Sequence, residues 1–170
     1  MRALVCIGPT ALEALGSRAS TNAAAGFASA TFPAANRAIG YPFTLSEPWV
    51  ITTLWVCSGA TVGTNNVDVG IYDVAGTRLI SSGAELTANA NALQLFDITD
   101  TLLGVGKFFM AVSLNGTTDT LFRALVGATE KQALGMWQMA SAHVLPATVT
   151  FANPGDTYVP LIGCAGRTTI

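Results

Sequence analysis

The chain has 170 residues, 51% of them hydrophobic and only 11% charged, with a formal net charge of −2. That length suits one domain able to bury roughly 70% of its unfolded-chain surface without a disulfide or metal framework. The absence of basic clusters excludes a nucleic-acid footprint and a polybasic membrane patch. Average globular chains carry about 25% charged residues, so this surface is poor in charge. Either another subunit covers much of it, or Thr, Ser, Asn and Gly solubilise an all-β protein. The three cysteines, Cys6, Cys57 and Cys164, are widely spaced with no Cys-x-x-Cys pair and read as small buried hydrophobes.

The chain begins apolar at Ala3-Leu4-Val5-Cys6-Ile7, but Gly8-Pro9 and Glu13 interrupt it before a signal-peptide core is complete, so secretion by that route is not expected. Thr10-Ala11-Leu12-Glu13 has capping-box spacing for one or two helical turns ending at Gly16. Residues 17 to 38 are mostly Ala, Ser, Thr and Asn, with Phe27 and Phe32 as isolated anchors. Such a segment cannot build its own core. Residues 1–38 therefore read as an irregular N-terminal arm, either flexible or ordered by lying on a neighbour, and residues 39–170 as the folded domain.

β-Structure starts at Tyr41-Pro42-Phe43-Thr44-Leu45, where Pro42 suits an edge or a strand start. Trp49 to Cys57 is the strongest strand. Strict alternation puts Trp49, Ile51, Thr53, Trp55 and Cys57 on one face and Val50, Thr52, Leu54 and Val56 on the other, so the strand is expected to be covered on both sides. Val67 to Asp73 has Val67, Val69 and Ile71 on one face and Asp68, Gly70 and Tyr72 opposite, a half-buried pattern. A turn at Ala75-Gly76 leads to a strand at Arg78-Leu79-Ile80. From Pro48 to Val67 no charge occurs, yet Gly59, Gly63, Asn65 and Asn66 break the run, which excludes a membrane helix there.

Leu93 to Ile98 forms the next strand, and Asp97-Ile98-Thr99-Asp100-Thr101 a side-chain-capped turn. Gly104-Val105-Gly106-Lys107 lacks the first glycine and the hydroxyl residue of a phosphate loop, so it reads as a turn into Lys107 to Leu114, whose core face is Phe108, Met110, Val112 and Leu114. Asn115-Gly116 then predicts a hairpin returning through Leu121 to Val126. Residues 127–147 break the rhythm. Thr129-Glu130-Lys131-Gln132 spaces a short helix, and Met136, Trp137 and Met139 make the segment a flap over the body or part of an interface. Two last strands lie near Ala147 to Phe151 and Thr157 to Ile162.

Eight or nine short strands predict an all-β, two-sheet antiparallel β-sandwich of jelly-roll or Greek-key type. No reaction is legible. His143 is the only histidine and no Gly-x-Ser-x-Gly elbow is present, so the chain is read as no enzyme; one histidine and three scattered cysteines do not space a zinc site, and no cofactor or metal is expected. Asp68 with Asp73, or Asp97 with Asp100, are the carboxylate pairs that glycoside chemistry would need, although most sit at turns where Asp serves the backbone. A glycan-binding module would need Tyr41, Trp49, Trp55, Tyr72, Trp137 or Tyr158 exposed as a flat platform.

Three stretches carry a resemblance. Ala35 to Phe43, Val67 to Leu79, and Asp97 to Thr101 followed by Gly106 to Ala111 resemble small β-sandwich proteins encoded in the structural gene clusters of tailed bacteriophages, a likeness spanning roughly residues 35 to 163. The resemblance implies a virion location and a structural role: a capsid-decorating (cement) protein, or a tail or fibre component, with a carbohydrate- or receptor-binding module as the other alternative. It further implies a homotrimer touching the major capsid or another virion protein, without nucleic acid or membrane. Leu4, Val5, Phe27, Phe32, Trp49, Trp55 and Trp137 are the candidate interface residues.

Overall fold

In a computed structural model, residues 4–6, 27–125, 127–140, 142–153 and 155–168 are described. The predicted turn at Thr10 to Gly16 lies outside them. Thirteen strands and one six-residue helix, α1 (Ala128–Ala133), build the described part. The strands are β1 (Leu4–Cys6), β2 (Ala28–Thr31), β3 (Arg37–Leu45), β4 (Trp49–Cys57), β5 (Asn66–Tyr72), β6 (Arg78–Ser81), β7 (Glu85–Leu86), β8 (Leu93–Leu103), β9 (Gly106–Leu114), β10 (Thr120–Leu125), β11 (Trp137–Met139), β12 (Tyr158–Pro160) and β13 (Ile162–Thr168).

These strands form a two-layer antiparallel sandwich. One layer is a six-stranded sheet in the order β11-β3-β9-β5-β6, with β7 also on β5. The other combines a four-stranded sheet, β1-β13-β4-β8, with a three-stranded one, β12-β10-β2. A bridge between Ser58 and Leu121, and Leu161 bonding both Cys57 and Phe122 through the backbone, join these two sheets.

The main core lies between the layers. It takes Ile39, Tyr41 and Phe43 from β3, Val67, Val69 and Ile71 from β5, and Phe108, Met110, Val112 and Leu114 from β9; Ile51, Leu54, Val56 and Ile162 face them. Each set follows the period of two that a strand imposes. Residues 28–38, assigned to the arm from sequence, belong to this body: β2 pairs with β10, and Phe32 packs edge-on to Tyr158 inside the core at a centroid distance of 5.5 Å.

A second, smaller core sits on the opposite face of the six-stranded sheet. Ala38, Tyr72, Phe109, Ala111 and Trp137 pack there under Ala142, Leu145 and Val149, with Met139 and Phe151 against them. The expected flap over residues 127–147 is therefore present and extends to residue 151. β5 is accordingly buried on both faces, where the alternation predicted a half-buried strand. The composition of Asp68, Gly70 and Tyr72 could not announce a cover that arrives from some 75 residues further along the chain. Gly40 makes room for it, because a Cβ there would stand 2.6 Å from Nε1 of Trp137.

Three other expectations change. In β4 the strict alternation fails, because the register with β13 steps between Ala165 and Gly166 and that with β8 between Ile51 and Thr53. An inserted residue flips the phase of everything beyond it. Trp49 and Ile51 face the core before the shift and Leu54 and Val56 after it, so Trp55 lies on the other face from Trp49. Gly166 permits the irregularity: a Cβ there would stand 2.2 Å from the Val50 carbonyl oxygen. The predicted turn at Asp97 to Thr101 is the matching irregularity inside one long β8, where Thr101 donates to the Thr99 carbonyl at 2.8 Å. Asn115-Gly116 makes no hairpin. Both edges of β9 are already taken by β3 and β5, so the chain crosses to β10 in the other layer.

That crossing is pinned by a polar clamp. The buried Asp119 carboxylate accepts from the amides of Thr64 at 2.9 Å and Asn65 at 2.7 Å and from the Thr87 hydroxyl, while Asn65 Oδ1 accepts from the amides of Thr118 and Asp119, each at 2.9 Å. Burial pushes the Asp119 carboxyl up, but the hydrogen bonds from Asn65, Thr87 and Thr64 outweigh it and hold the group below its ordinary value.

Candidate assembly surface

Two clusters stand out from the sandwich, one polar and covered, one apolar and open. The covered cluster lies under the flap. Asp68 on β5 accepts from Ser81 Oγ at 2.8 and 3.0 Å, from Ser82 Oγ at 3.2 Å and from the amide of Leu145 at 2.9 Å. Its register partner on β9 is Ser113, whose hydroxyl lies 3.1 Å from Nδ1 of His143. The flap is further held by Tyr72, which donates to the Pro146 carbonyl at 2.8 Å, and by Arg78, which donates to the Leu145 carbonyl.

Serine, histidine and aspartate thus meet, but in the geometry of a fastener. Ser113 and Asp68 are fully buried, and both oxygens of Asp68 are taken by Ser81, Ser82 and the flap amide. A nucleophile needs a route for substrate and a carboxylate on the far ring nitrogen. Burial holds the His143 imidazole below its ordinary value against the opposing pull of the Asp68 charge and the contact with Ser113, so the ring is neutral near pH 7. Sequence reasoning named His143 and Asp68 separately and missed Ser113. No local signal links them, since residues 68, 113 and 143 come from two strands and a loop.

Of the other carboxylates named from sequence, Asp73 serves the backbone and Asp100 an ion pair. Asp73 caps its turn by accepting from the amides of Ala75 at 2.9 Å and Thr77 at 2.8 Å. Asp100 pairs with Arg167 at 2.6 Å on the surface, and Asp97 is exposed on β8. Among the described residues no three His, Cys, Asp or Glu side chains gather as a metal site, and no helix is long and apolar enough to cross a membrane.

The open cluster is on the outer face of the four-stranded sheet. β8 is an edge strand of 11 residues, and its outward side chains include Leu93, Leu95 and Leu102, exposed by 51%, 64% and 61%. Their register partners on β4 are Cys57, Trp55 and Val50, which extend the apolar character inward along the same face. Gly163 flanks Trp55 on the other side, and Trp55 itself is buried. Nearby, Val105 follows β8 in an exposed turn. Along the rim, the edges of β6 and β8 leave a groove of about 360 Å³ lined by Leu79 to Ser82 and by Asp97, Ile98, Thr99 and Thr101. An edge strand with exposed apolar side chains is a template for pairing with another chain.

The candidate interface residues divide sharply. Phe32 and Trp49 lie in the main core and Trp137 in the second, so this chain itself buries them. Trp55 is 5% exposed on the outer face, and Phe27, at 38%, stays open. For Leu4 and Val5 the backbone pairs with β13, at Gly166 and Ala165, and their side chains lie outside the described part. The sequence reading missed the β8 leucines. Leu93-Gln94-Leu95-Phe96 displays the alternation, but only the sheet order reveals that β8 is an edge and that its leucines face outward.

Comparison with known proteins adds little to this geometry. The chain matches no family model and no curated protein. Among solved structures it is similar to a chain of the T13 IBDV viral particle, with a TM-score of 0.31 and 8% identity over 82% of this chain. It spans 38% of that chain's length. At that TM-score the likeness to a viral capsid particle carries no argument about this chain.

Proposed function

We propose that this chain is a non-enzymatic structural subunit of a bacteriophage virion, a capsid-decorating protein that stabilises the shell through subunit contacts. The observation that carries the reading is the outer face of the β1-β13-β4-β8 sheet, where an 11-residue edge strand exposes Leu93, Leu95 and Leu102 beside a chain otherwise 11% charged. An apolar face of this kind is removed from water by a neighbouring subunit. The strand and turn motifs that resemble phage structural proteins support the virion context, and the reading takes a homotrimer as the oligomer. The six Trp and Tyr side chains are all buried, so the platform that a glycan-binding module requires is missing.

The test is co-sedimentation of the purified chain with shells assembled from the major capsid protein of its own genome, followed by immunogold labelling. Binding in fixed stoichiometry over the shell supports the proposal. Label confined to the tail moves the protein to a tail or fibre, and absence of binding at micromolar concentration overturns the virion reading. A deletion that probes the arm stops at residue 26, because β2 and Phe32 are built into the sandwich.

A further inference from the structure

Asn115 and Gly116 close no hairpin, and the joint they form carries a chemistry of its own. Of the asparagines in the chain, Asn115 alone is followed by glycine. It is exposed directly after β9, where its amide donates to the Asn66 carbonyl at 3.1 Å and its Oδ1 accepts from the Asn66 amide at 2.8 Å. The Gly116 amide has no acceptor among the described residues, so none of them holds its proton. The fold demands glycine at 116, because a Cβ there would collide with the side chain of Asn65. That side chain has no room to yield: it is buried, and its Oδ1 accepts from the amides of Thr118 and Asp119, each at 2.9 Å. The main chain from 115 to 119 is therefore pinned at one end to Asn66 and at the other to Asn65, within the crossing between the layers.

We propose that Asn115 is a site of spontaneous deamidation through a succinimide, and that its isoaspartyl product loosens this crossing. The Gly116 amide nitrogen loses its proton to hydroxide and attacks Cγ of Asn115, an intramolecular step between neighbouring residues. Negative charge gathers on Oδ1 as the N–Cγ bond forms, and the Asn66 amide already donates to that oxygen. The Cγ–Nδ2 bond then breaks, and Nδ2 takes a proton from water and leaves as ammonia. Water reopens the ring in one of two ways. Cleavage of the new N–Cγ bond gives aspartate; cleavage of the original peptide bond gives isoaspartate, whose main chain runs through Cβ and Cγ. One water is consumed and one ammonia released, with no oxidant or reductant. Asn89 and Asn91 are exposed too, but each precedes alanine, whose Cβ hinders the attack. The aspartyl product keeps an acceptor for the Asn66 amide, whereas the isoaspartyl product lengthens by one carbon a main chain pinned at both ends. The inference stands whether or not the virion reading holds.

The experiment ages the full folded chain in mildly alkaline buffer, digests it with trypsin, and follows the peptides of residues 79–107 and 108–123 by mass spectrometry and retention time. Asn115 should gain the mass of amide-to-acid conversion roughly tenfold faster than Asn89 or Asn91, with isoaspartate outweighing aspartate. In the aged chain the amides of Thr118 and Asp119 should lose exchange protection. A fresh Asn115→Asp variant, which has the charge without the longer main chain, should keep it. Conversion of Asn115 only after the chain is unfolded in urea overturns the proposal, as does faster conversion at Asn89 or Asn91. Full protection of Thr118 and Asp119 in chains that carry isoaspartate overturns the loosening of the crossing. So does an equal loss in fresh Asn115→Asp, which would assign the effect to charge.

Discussion

The two outer faces of this sandwich are built from the same kind of strand and end differently. On the six-stranded sheet, Tyr72, Phe109, Ala111 and Trp137 are covered by residues 142–151 of the chain itself, fastened by Asp68, Tyr72 and Arg78. On the four-stranded sheet, Leu93, Leu95 and Leu102 stand in water beside the half-buried Val50 and Cys57. An apolar face is thus no sign of a partner until the chain's own segments have been placed. What distinguishes the second face is that no described segment closes over β8.

Breaking the covered face should cost most. Trp137→Ala removes the side chain at the centre of the second core, where it meets Tyr72 and Phe151 edge-on at 5.8 and 5.2 Å. Loss of about 3–5 kcal/mol in urea unfolding is expected, and a loss below about 1 kcal/mol would mean that the flap contributes little to stability. Asp119→Ala should cost about 2–4 kcal/mol by stranding the amides of Thr64 and Asn65 in the clamp between the layers. The same residue makes the fold sensitive to acid. Because its folded value is depressed, its contribution is complete above the ordinary carboxylate range and is lost as pH falls through the folded value. Acid unfolding followed by circular dichroism should therefore begin at lower pH in the variant than in the native chain once denaturant has brought the native chain to the same starting stability.

Gly166→Val tests the phase change in β4. Its side chain collides with the Val50 carbonyl, and a loss of about 2–3 kcal/mol is expected; near-neutral unfolding would show that the register step needs no glycine. His143 should give a smaller, local effect. Its folded value is depressed, so its contribution is complete above the ordinary histidine range and fades as pH falls through the depressed value. The hydrogen-exchange protection factor of the Leu145 amide should fall on that descent in the native chain and stay flat in His143→Phe. The exposed face should show the reverse pattern: Leu95→Lys should change stability by no more than about 0.5 kcal/mol while removing shell binding. Intact binding by Leu95→Lys and Leu102→Lys together would take the assembly role away from this face.

Most of the strands were legible in the sequence, because period-two patterns such as Phe108, Met110, Val112 and Leu114 require a strand with one face in a core, whichever strands lie beside it. The turn glycines, the short helix at Thr129 to Gln132 and the buried state of Cys164 were legible for the same local reasons. The partner of each face was not. Whether Asn115-Gly116 closes a hairpin depends on which edges of β9 are already occupied, and the face that Trp55 takes depends on a register step against β13 and β8. Ser113, His143 and Asp68 meet, and Cys6 stands opposite Cys164, only because distant segments pack together. Local chemistry along the chain determined which residues could form strands and which had to be buried. Only the tertiary structure decided what buries them, since burial is shared between segments far apart in sequence and no local pattern records the partner.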